Sequence, residues 1–303
     1  MKNILVVYFS QTGQLKAVVD SVMGKLAQSN EVNIHYEELR PVKEYPFPWR
    51  DQFFDVFPDS VTETGCELQP FSFDLNAHYD LVVLGCQTWF LSPSVPVTAF
   101  LKHPQIIKFL AKKNIVTIHG ARNMCFSAQE SIKKYISNAK AKLVGNIVLG
   151  DNNTNYISAI TIIKWLVYGN KGPYGFLPDA GISKKTIQEA SVFGEDLMNF
   201  IKSPDSYLLQ NELVNKGAVN IRFSVLATEL NAKKIFKKFN RYVSKAPKGS
   251  KLWHKRIKVF RAYLLFALFG LSPIAMLVFS LVHLLFRFRT KNIIKYYQGI
   301  QRN

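Results

Sequence analysis

The chain is poor in cysteine and has no cysteine pair at metal-binding spacing. Cys66, Cys86 and Cys125 are its three cysteines among 303 residues, and they stand far apart. This pattern supports neither a disulfide framework nor a cysteine-based metal site, and no metal is expected. Because no signal peptide precedes the first apolar run, we expect the protein to work in the reducing cytoplasm.

Acidic residues are scarce in the last third of the chain. Residues 201–303 hold 20 Lys and Arg against 3 Asp and Glu, whereas residues 1–200 hold 19 against 18. The C-terminal third therefore carries +17 of the formal net charge of +18. A basic region of this kind is typical of contact with anionic lipid or with nucleic acid.

Inside this basic region lies a long segment without formal charge. Ala262 to Phe286 spans 25 residues, uncharged when His283 is neutral. A continuous helix of that length would measure about 37 Å, more than a bilayer core of about 30 Å. Basic residues flank it on both sides, namely Lys255, Arg256, Lys258, Arg261, Arg287, Arg289, Lys291 and Lys295.

The middle of the uncharged segment predicts a kink. Pro273 lacks a backbone donor, and Gly270 and Ser272 stand close to it. Basic flanks at both ends favour a cytoplasmic position for both. This indicates a re-entrant or interfacial hairpin, with a kinked single span as the alternative. Residues 262–286 thus predict attachment to the cytoplasmic side of the inner membrane, with anionic lipid as partner.

Nucleic-acid binding is the competing use of the basic region. Lys233, Lys234, Lys237 and Lys238 could contact phosphates. That interpretation leaves the uncharged segment unexplained, so lipid is the favoured partner.

The first two thirds of the chain alternate strand and helix patterns, which indicates an α/β fold with a parallel sheet. Five strands with crossovers suit the doubly wound order 2-1-3-4-5. The strands are predicted at Lys2 to Phe9, Glu31 to Leu39, Asp80 to Leu84, Asn114 to His119 and Leu143 to Leu149. Helices are predicted at Gly13 to Ala27, Val95 to Lys102, Ser127 to Asn138 and Ser183 to Lys202.

Three further stretches complete the predicted organisation. Arg40 to Asn76 reads as an irregular excursion, and Asp151 to Ala180 as a short helix followed by a turn-rich loop. Beyond Pro204, Gly217 to Leu226 looks strand-like, and Asn231 to Tyr242 predicts a basic helix. We therefore expect a domain over residues 1–203, a basic connecting unit over 204–250 and a hydrophobic membrane segment within 251–303.

The ends of three predicted strands carry the candidate site, because ligands of parallel α/β sheets gather at the carboxyl edge. The first strand leads into Ser10, Gln11, Thr12, Gly13 and Gln14, whose backbone amides at a helix start can hold a phosphate. An ordinary capped turn is the alternative. The third strand ends in Gln87, Thr88, Trp89 and Phe90, and the fourth in His119, Gly120, Ala121 and Arg122. These loops can hold a flat ring, although core packing would also explain Trp89 and Phe90.

Over roughly the first 200 residues the chain resembles flavodoxin-like FMN oxidoreductases. Tyr8 to Gln14 resembles the phosphate loop of flavodoxins, and Gly85 to Phe90 resembles the second flavin loop of quinone and FMN reductases. The resemblance implies that Ser10 to Gln14 hold the FMN phosphate, Gln87 to Phe90 the isoalloxazine, and Gly120 to Arg122 its pyrimidine side. Leu15 departs from the pattern, because flavodoxins often have a threonine there.

A narrower resemblance concerns Gly120 to Met124, Ala128 to Glu130, the excursion after the fifth strand and the basic apolar tail. These look like the flavodoxin-like enzymes of dialkylresorcinol, or flexirubin-type, pigment biosynthesis. The resemblance implies FMN-dependent aromatisation of a lipophilic dialkylcyclohexanedione to a dialkylresorcinol, with a ketosynthase and an acyl carrier protein as partners. The alternatives are an NAD(P)H-dependent quinone or FMN reductase and a flavodoxin-like electron carrier, whose usual acidic face is missing here.

Removing hydrogen next to a carbonyl needs a base, a hydride acceptor and a donor for the enolate. His119 is the candidate base, and Arg122 the candidate stabiliser of the enolate or of flavin O2. A strand-end histidine with a purely structural bond and a surface arginine at a helix start are the alternatives.

Overall fold

A computed structural model describes residues 1–301 of the chain, and its centre is a parallel sheet. The strands are β1 (Lys2–Tyr8), β2 (Val32–Glu38), β3 (Leu81–Trp89), β4 (Ser92–Pro93), β5 (Asn114–Ala121) and β6 (Lys142–Gly150). The sheet order is β2-β1-β3-β5-β6, and the two-residue β4 pairs antiparallel with β3. Without β4 this is the predicted doubly wound order, which is that of a flavodoxin-like fold, so the predicted fold class is confirmed.

Helices cover both faces of the sheet and continue beyond it. They are α1 (Gln14–Ala27), α2 (Phe57–Thr62), α3 (Val95–Lys102), α4 (Pro104–Leu110), α5 (Phe126–Asn138), α6 (Asn155–Tyr168), α7 (Lys184–Glu189), α8 (Phe193–Lys202), α9 (Ser206–Asn215), α10 (Phe223–Val243), α11 (Lys251–Phe266), α12 (Ser272–Leu285) and α13 (Arg287–Gln298). The two hydrophobic clusters lie on opposite faces, which is why the central strands read as continuous apolar runs.

Several predicted bounds need correction. The third strand runs on to Trp89, well past the predicted Leu84, because it pairs with β5 as far as Gln87 and its last two residues pair with β4. Helix α4 was not predicted. The predicted helix from Ser183 to Lys202 is divided into α7 and α8 by a 3₁₀ turn at Ala190–Val192.

The strand-like prediction for Gly217 to Leu226 is wrong. This stretch is a turn followed by the start of α10, and the backbone N–H of Val148 donates to the carbonyl of Ala218 at 2.7 Å. Val219 and Ile221 are buried against the edge of the sheet without extending it. The apolar residues at Val225 and Leu226 belong to the helical period of α10, which the short β-type run obscured.

The uncharged C-terminal segment is not a hairpin. Helices α11 and α12 are joined by a π-helical turn, Ala267–Leu271, into one helix from Lys251 to Leu285. Pro273 has no N–H to give the carbonyl of Phe269, and the wider turn accommodates this loss. The hydroxyl of Tyr156 donates to that carbonyl at 3.3 Å. The predicted irregularity near Pro273 is therefore present as a π-turn, whereas the chain does not reverse its direction there as a hairpin would require.

Helices α10 to α13 pack on the sheet domain. Trp253, Ile257 and Phe260 of α11 are buried in the same cluster as the aromatic residues of α2 and β3. The chain breaks at Phe286, and α13 returns to the domain, where the hydroxyl of Tyr296 donates to Glu130 at 2.7 Å. The basic C-terminal third is thus held against the α/β core along its length.

Phe260→Ala tests this packing. Phe260 is 0% exposed and its ring stacks on that of Phe57 with centroids 3.6 Å apart. We expect the free energy of unfolding to fall by about 3–5 kcal/mol, measured by urea titration in mild detergent. Val259→Ala is the matched control, because Val259 is 45% exposed on the same helix, and its effect should stay within about 0.5 kcal/mol. Equal effects of the two changes would contradict the packing.

Candidate functional site

The first loop starts the site with an open helix N-terminus. Gly13 has a left-handed backbone, φ 76°, and a Cβ placed there would meet nothing within 4 Å. The side chain of Ser10 accepts the N–H of Lys16 at 3.2 Å. The amides at the start of α1 lack carbonyl partners within the helix, so they present a donor set suited to a phosphate. Ser10, Thr12 and Gly13 therefore lie where the sequence predicts them.

The two glutamines of this loop hold neighbouring segments. Gln11 accepts the indole N–H of Trp49 at 2.8 Å and donates to the carbonyl of Pro46 at 3.1 Å. Gln14 exchanges two hydrogen bonds with the backbone of Ile182. Both amides fix the loop in place, which leaves the backbone and the hydroxyls to face a ligand.

The second loop is a tight hairpin between β3 and β4. Phe90 and Leu91 are its two central residues, with φ 48° and 61°, and Trp89 pairs with Ser92 across it. Such a turn needs positive φ at both central positions, which normally selects Asn and Gly. Two bulky residues here are strained, and residues strained in this way cluster at ligand sites.

Trp89 and Phe90 pack inside aromatic clusters. The Trp89 ring has edge contacts to Phe9, Tyr45 and Trp49, at 5.0 to 5.8 Å between centroids. Phe90 stacks on Phe53 at 4.7 Å. The Arg40 to Asn76 excursion therefore forms a wall of the site.

His119 is enclosed below the sheet edge. It is 0% exposed, and its Nε2 donates to the side-chain oxygen of Gln129 at 2.7 Å. Gln129 donates in turn to Thr117, whose hydroxyl donates to Asn146 at 2.9 Å. Burial lowers the pKa of His119 to about 4, so the ring is neutral at physiological pH. The Nε2 bond is structural, whereas Nδ1 has no hydrogen-bond partner among the described residues, and His119 does not line the cavity described below.

Arg122 lies in a polar cluster that connects the third loop to the C-terminal helix. Its guanidinium donates to the side-chain oxygen of Asn155 at 3.1 Å, and Asn123 donates to the same oxygen at 3.1 Å. Asn155 donates to the hydroxyl of Ser272 at 3.1 Å. Burial lowers the pKa of Arg122 to about 10, against the opposing effect of Asp151, so it stays charged at neutral pH.

An apolar cavity of about 570 Å³ adjoins this cluster. It lies between the second loop, α6, α10 and the C-terminal helix, and both Thr88 and Arg122 reach its wall. The apolar lining includes Phe90, Met124, Ile163, Leu166, Ile235, Phe236, Leu264, Leu268, Ala275 and Phe279. Three arginines, Arg50, Arg122 and Arg261, also reach the lining. A lipophilic ligand with an anionic group suits a cavity of this kind, because cationic groups border an otherwise apolar space.

Several buried polar atoms at the site lack a hydrogen-bond partner among the described residues. They include Thr88 Oγ1 on the second loop, Asn123 Oδ1 on the third and Nδ1 of His119 near the end of β5. Buried polar groups are normally satisfied, so unpartnered ones beside an anion loop are suited to a ligand with polar edges. Residues Gly120 and Ala121 complete the edge, where Gln87 pairs with Gly120.

Sequence reasoning missed Asn155 and Ser272 as site residues, because nothing local marks an asparagine at a helix start or a serine inside an apolar run. The one signal in the sequence was that Ser272 is a polar residue within an apolar helix, and such residues usually form a hydrogen bond to a partner.

No protein-family profile matches the chain, and no curated protein matches it. Solved structures with a similar fold include a flavoprotein in complex with FMN from Lactobacillus acidophilus, with 17% identity and a TM-score of 0.38, covering 49% of this chain and 93% of that one. A flavodoxin from the domain Archaea has 14% identity and a TM-score of 0.36, covering 66% and 99%. A flavone reductase has 10% identity and a TM-score of 0.33, covering 86% and 97%. Likenesses this distant carry no argument about activity, and the fold assignment rests on the strand order itself.

The buried imidazole gives a pH prediction. The pKa of His119 in the folded state, about 4, lies below its usual value, so the unfolded chain binds the proton more readily and stability falls as the pH drops below about 6.5. Between pH 7 and 5 we expect a loss of about 2 kcal/mol in the free energy of unfolding, and His119→Gln should lack this component.

The control is His78→Gln, because the His78 side chain is 80% exposed. It should retain the full pH dependence in urea titrations at the two pH values. A His119→Gln protein with the same pH dependence as the wild type would refute the assignment.

Proposed function

We propose that the protein is an FMN-dependent oxidoreductase acting on a lipophilic ring substrate. The observation that carries this proposal is the junction at Thr88 and Arg122, where the carboxyl-edge loops meet the apolar cavity. From α1 to the C-terminal helix, the site would then consist of a phosphate-binding loop, a polar edge for the ring and an apolar cavity.

FMN fits the donor set of the three loops. Ser10, Thr12 and the amides after Gly13 would hold its phosphate, and the unpartnered oxygen atoms of Thr88 and Asn123 would face the polar edge of the ring. Gln87, Trp89, Phe90, Gly120 and Ala121 form the surrounding edge and wall. FMN, when bound, supplies a two-electron acceptor for hydrogen removed from carbon.

The more specific proposal is aromatisation of a dialkylcyclohexanedione to a dialkylresorcinol. A cyclic 1,3-dione is acidic enough to bind as its enolate, and Arg122 would pair with the enolate oxygen in an apolar setting where that charge interaction is strong. Aromatisation also removes a hydride from one ring carbon and a proton from the neighbouring carbon beside a carbonyl. The hydride would go to FMN and the proton to water that enters with the substrate, because His119 does not line the cavity. The alkyl chains would occupy the cavity.

A ketosynthase and an acyl carrier protein are the proposed suppliers of the dione. An NAD(P)H-dependent quinone or FMN reductase is the second candidate, because a quinone would also suit the apolar cavity. The electron-carrier alternative has less support, because an electron carrier does not need an apolar cavity for a substrate next to its flavin.

Membrane attachment through residues 262–286 on the cytoplasmic side of the inner membrane belongs to the same proposal. Among the described residues one helix, Lys251–Leu285, is long and apolar enough to cross a membrane. Attachment would place the cavity beside the compartment in which a dialkylated substrate dissolves.

Thr88→Val separates ligand binding from stability. Because the Thr88 hydroxyl is buried without a partner, its loss should leave the ligand-free protein as stable or slightly more stable. FMN affinity, measured by flavin fluorescence quenching, should fall about five- to tenfold. Thr117→Val is the control, since the Thr117 hydroxyl is satisfied by Asn146 and Gln129. It should lower stability and leave FMN affinity unchanged, and the reverse pattern would contradict the placement of FMN.

Anaerobic mixing of the FMN-loaded protein tests the reaction. A dialkylcyclohexanedione should bleach the oxidised flavin absorbance and release a resorcinol, and Arg122→Met should slow this by about a hundredfold or more. Arg241→Met is the matched control and should keep the wild-type rate, because Arg241 is exposed on α10 and does not line the cavity. Bleaching by NADPH alone would favour the reductase, and bleaching by neither reagent would refute both proposals.

A further inference from the structure

One face of the C-terminal helix is apolar and exposed. The outer stripe, as we call it, consists of Phe266, Leu271, Ile274, Leu277, Leu281 and Leu284, at spacings of three to five residues. Ile274, Leu277 and Leu284 are 62%, 64% and 70% exposed. A continuous exposed stripe of this length on a globular protein marks an interaction surface.

The opposite face of the same helix is fixed to the domain at three levels. Phe260 is buried at one end, and Ser272 bonds to Asn155 in the middle. Near the other end His283 shares a hydrogen bond of 2.6 Å with Thr290, and its ring stacks on Phe223. A bilayer-spanning helix is surrounded by lipid or by other spanning segments over about 20 residues. The first two contacts are with the α/β domain and the third is with α10 and α13, so one face of the helix packs on the protein at all three levels, which is incompatible with that arrangement.

Positive charge borders the outer stripe at both ends. Lys255 and Lys258 are exposed before it, and Arg287, Arg289 and Lys291 are exposed after it. Residues 251–303 contain neither Asp nor Glu. An apolar face with cationic ends is complementary to the acyl chains and headgroups of one anionic leaflet.

The cavity reaches this surface. Leu265 and Leu271 line the cavity and are also 37% and 42% exposed. The π-turn at Ala267–Leu271 widens the helix at this level. The wall that separates cavity from surroundings is therefore only one helix thick, and it belongs to the outer stripe.

We propose that residues 251–285 lie in the plane of a single anionic leaflet, and that a lipophilic ring ligand enters the cavity sideways from that leaflet. The helix then acts as the outer wall of the site. Only the class of ligand rests on the proposed function, because the membrane geometry requires neither FMN nor turnover.

Flotation with vesicles tests the surface. The full chain should float with vesicles of about three parts phosphatidylcholine to one part phosphatidylglycerol, and less with phosphatidylcholine alone. Leu277→Lys combined with Leu281→Lys should weaken binding roughly tenfold or more. Leu208→Lys is the matched control, because Leu208 is 56% exposed on α9, outside the stripe, and it should float like the wild type. Equal flotation of both variants would overturn the proposal, as would a lipid-free dimer that these substitutions dissociate.

Labelling from one side distinguishes an in-plane helix from a spanning one. In a Cys66→Ser background, Lys255→Cys and Arg289→Cys variants are bound to preformed vesicles and treated with a membrane-impermeant maleimide. Cys86 and Cys125 are buried and should stay unlabelled. Both introduced thiols should react completely without detergent. Protection of either one until detergent is added would establish a span and overturn the in-plane arrangement.

Filling the cavity tests whether the ligand binds there. Pentadecylresorcinol in nonionic micelles serves as the probe, and its affinity is measured by titration calorimetry. Ala275→Trp should weaken it roughly tenfold or more by occupying the cavity, while flotation stays unchanged. Ala275→Leu, a smaller change, should give an intermediate effect if the larger one unfolds the protein. Unchanged affinity in both variants would refute the cavity as the ligand site, without touching the FMN or membrane results.

Discussion

The packing of Phe260 is the interaction on which the rest of the architecture depends. Its ring stacks on Phe57 and lies 5.4 Å from Phe236 and 6.0 Å from Phe90. Four segments far apart in sequence meet there: the excursion after β2, the β3–β4 hairpin, α10 and α11. Because burial of a large aromatic ring is worth several kcal/mol, this one contact can hold the C-terminal helix against the domain. Without it the cavity would lose its outer wall.

The strained β3–β4 hairpin also depends on the packing of the C-terminal helices against the domain. Left-handed backbone at bulky residues costs about 1–3 kcal/mol each, so Phe90 and Leu91 need support from their surroundings. Lys233 of α10 supplies it, since its ammonium donates to the carbonyl of Leu91 at 2.9 Å and to the hydroxyl of Ser92. Burial lowers the pKa of Lys233 to about 8, while Glu63 opposes this. The basic helix that looked like a connecting unit is therefore part of the wall around the site.

The sheet was predictable from sequence because its central strands β1, β3 and β5 are buried on both faces and read as largely apolar runs. The positions of Ser10 to Gly13 followed, since parallel strands bring their carboxyl ends to one edge. The enclosure of His119 did not, because it depends on Gln129, which lies one helix later. Likewise the fate of Pro273 depends on Tyr156, whose hydroxyl takes the carbonyl that proline leaves unpaired.

Polar contacts give the C-terminal helix its register. An apolar helix that shifts by one turn along an apolar groove buries almost the same apolar area. Apolar packing alone therefore specifies the position of the helix weakly. The bond from Asn155 to Ser272 and the bond from Tyr156 to Phe269 are satisfied in a single register. Leaving the Asn155 amide buried and unpaired would cost about 1–3 kcal/mol, enough to select that register, whereas Tyr156 is 41% exposed and adds less. Because Asn155 also holds Arg122, the position of the apolar helix and the position of the Arg122 guanidinium are fixed by the same side chain.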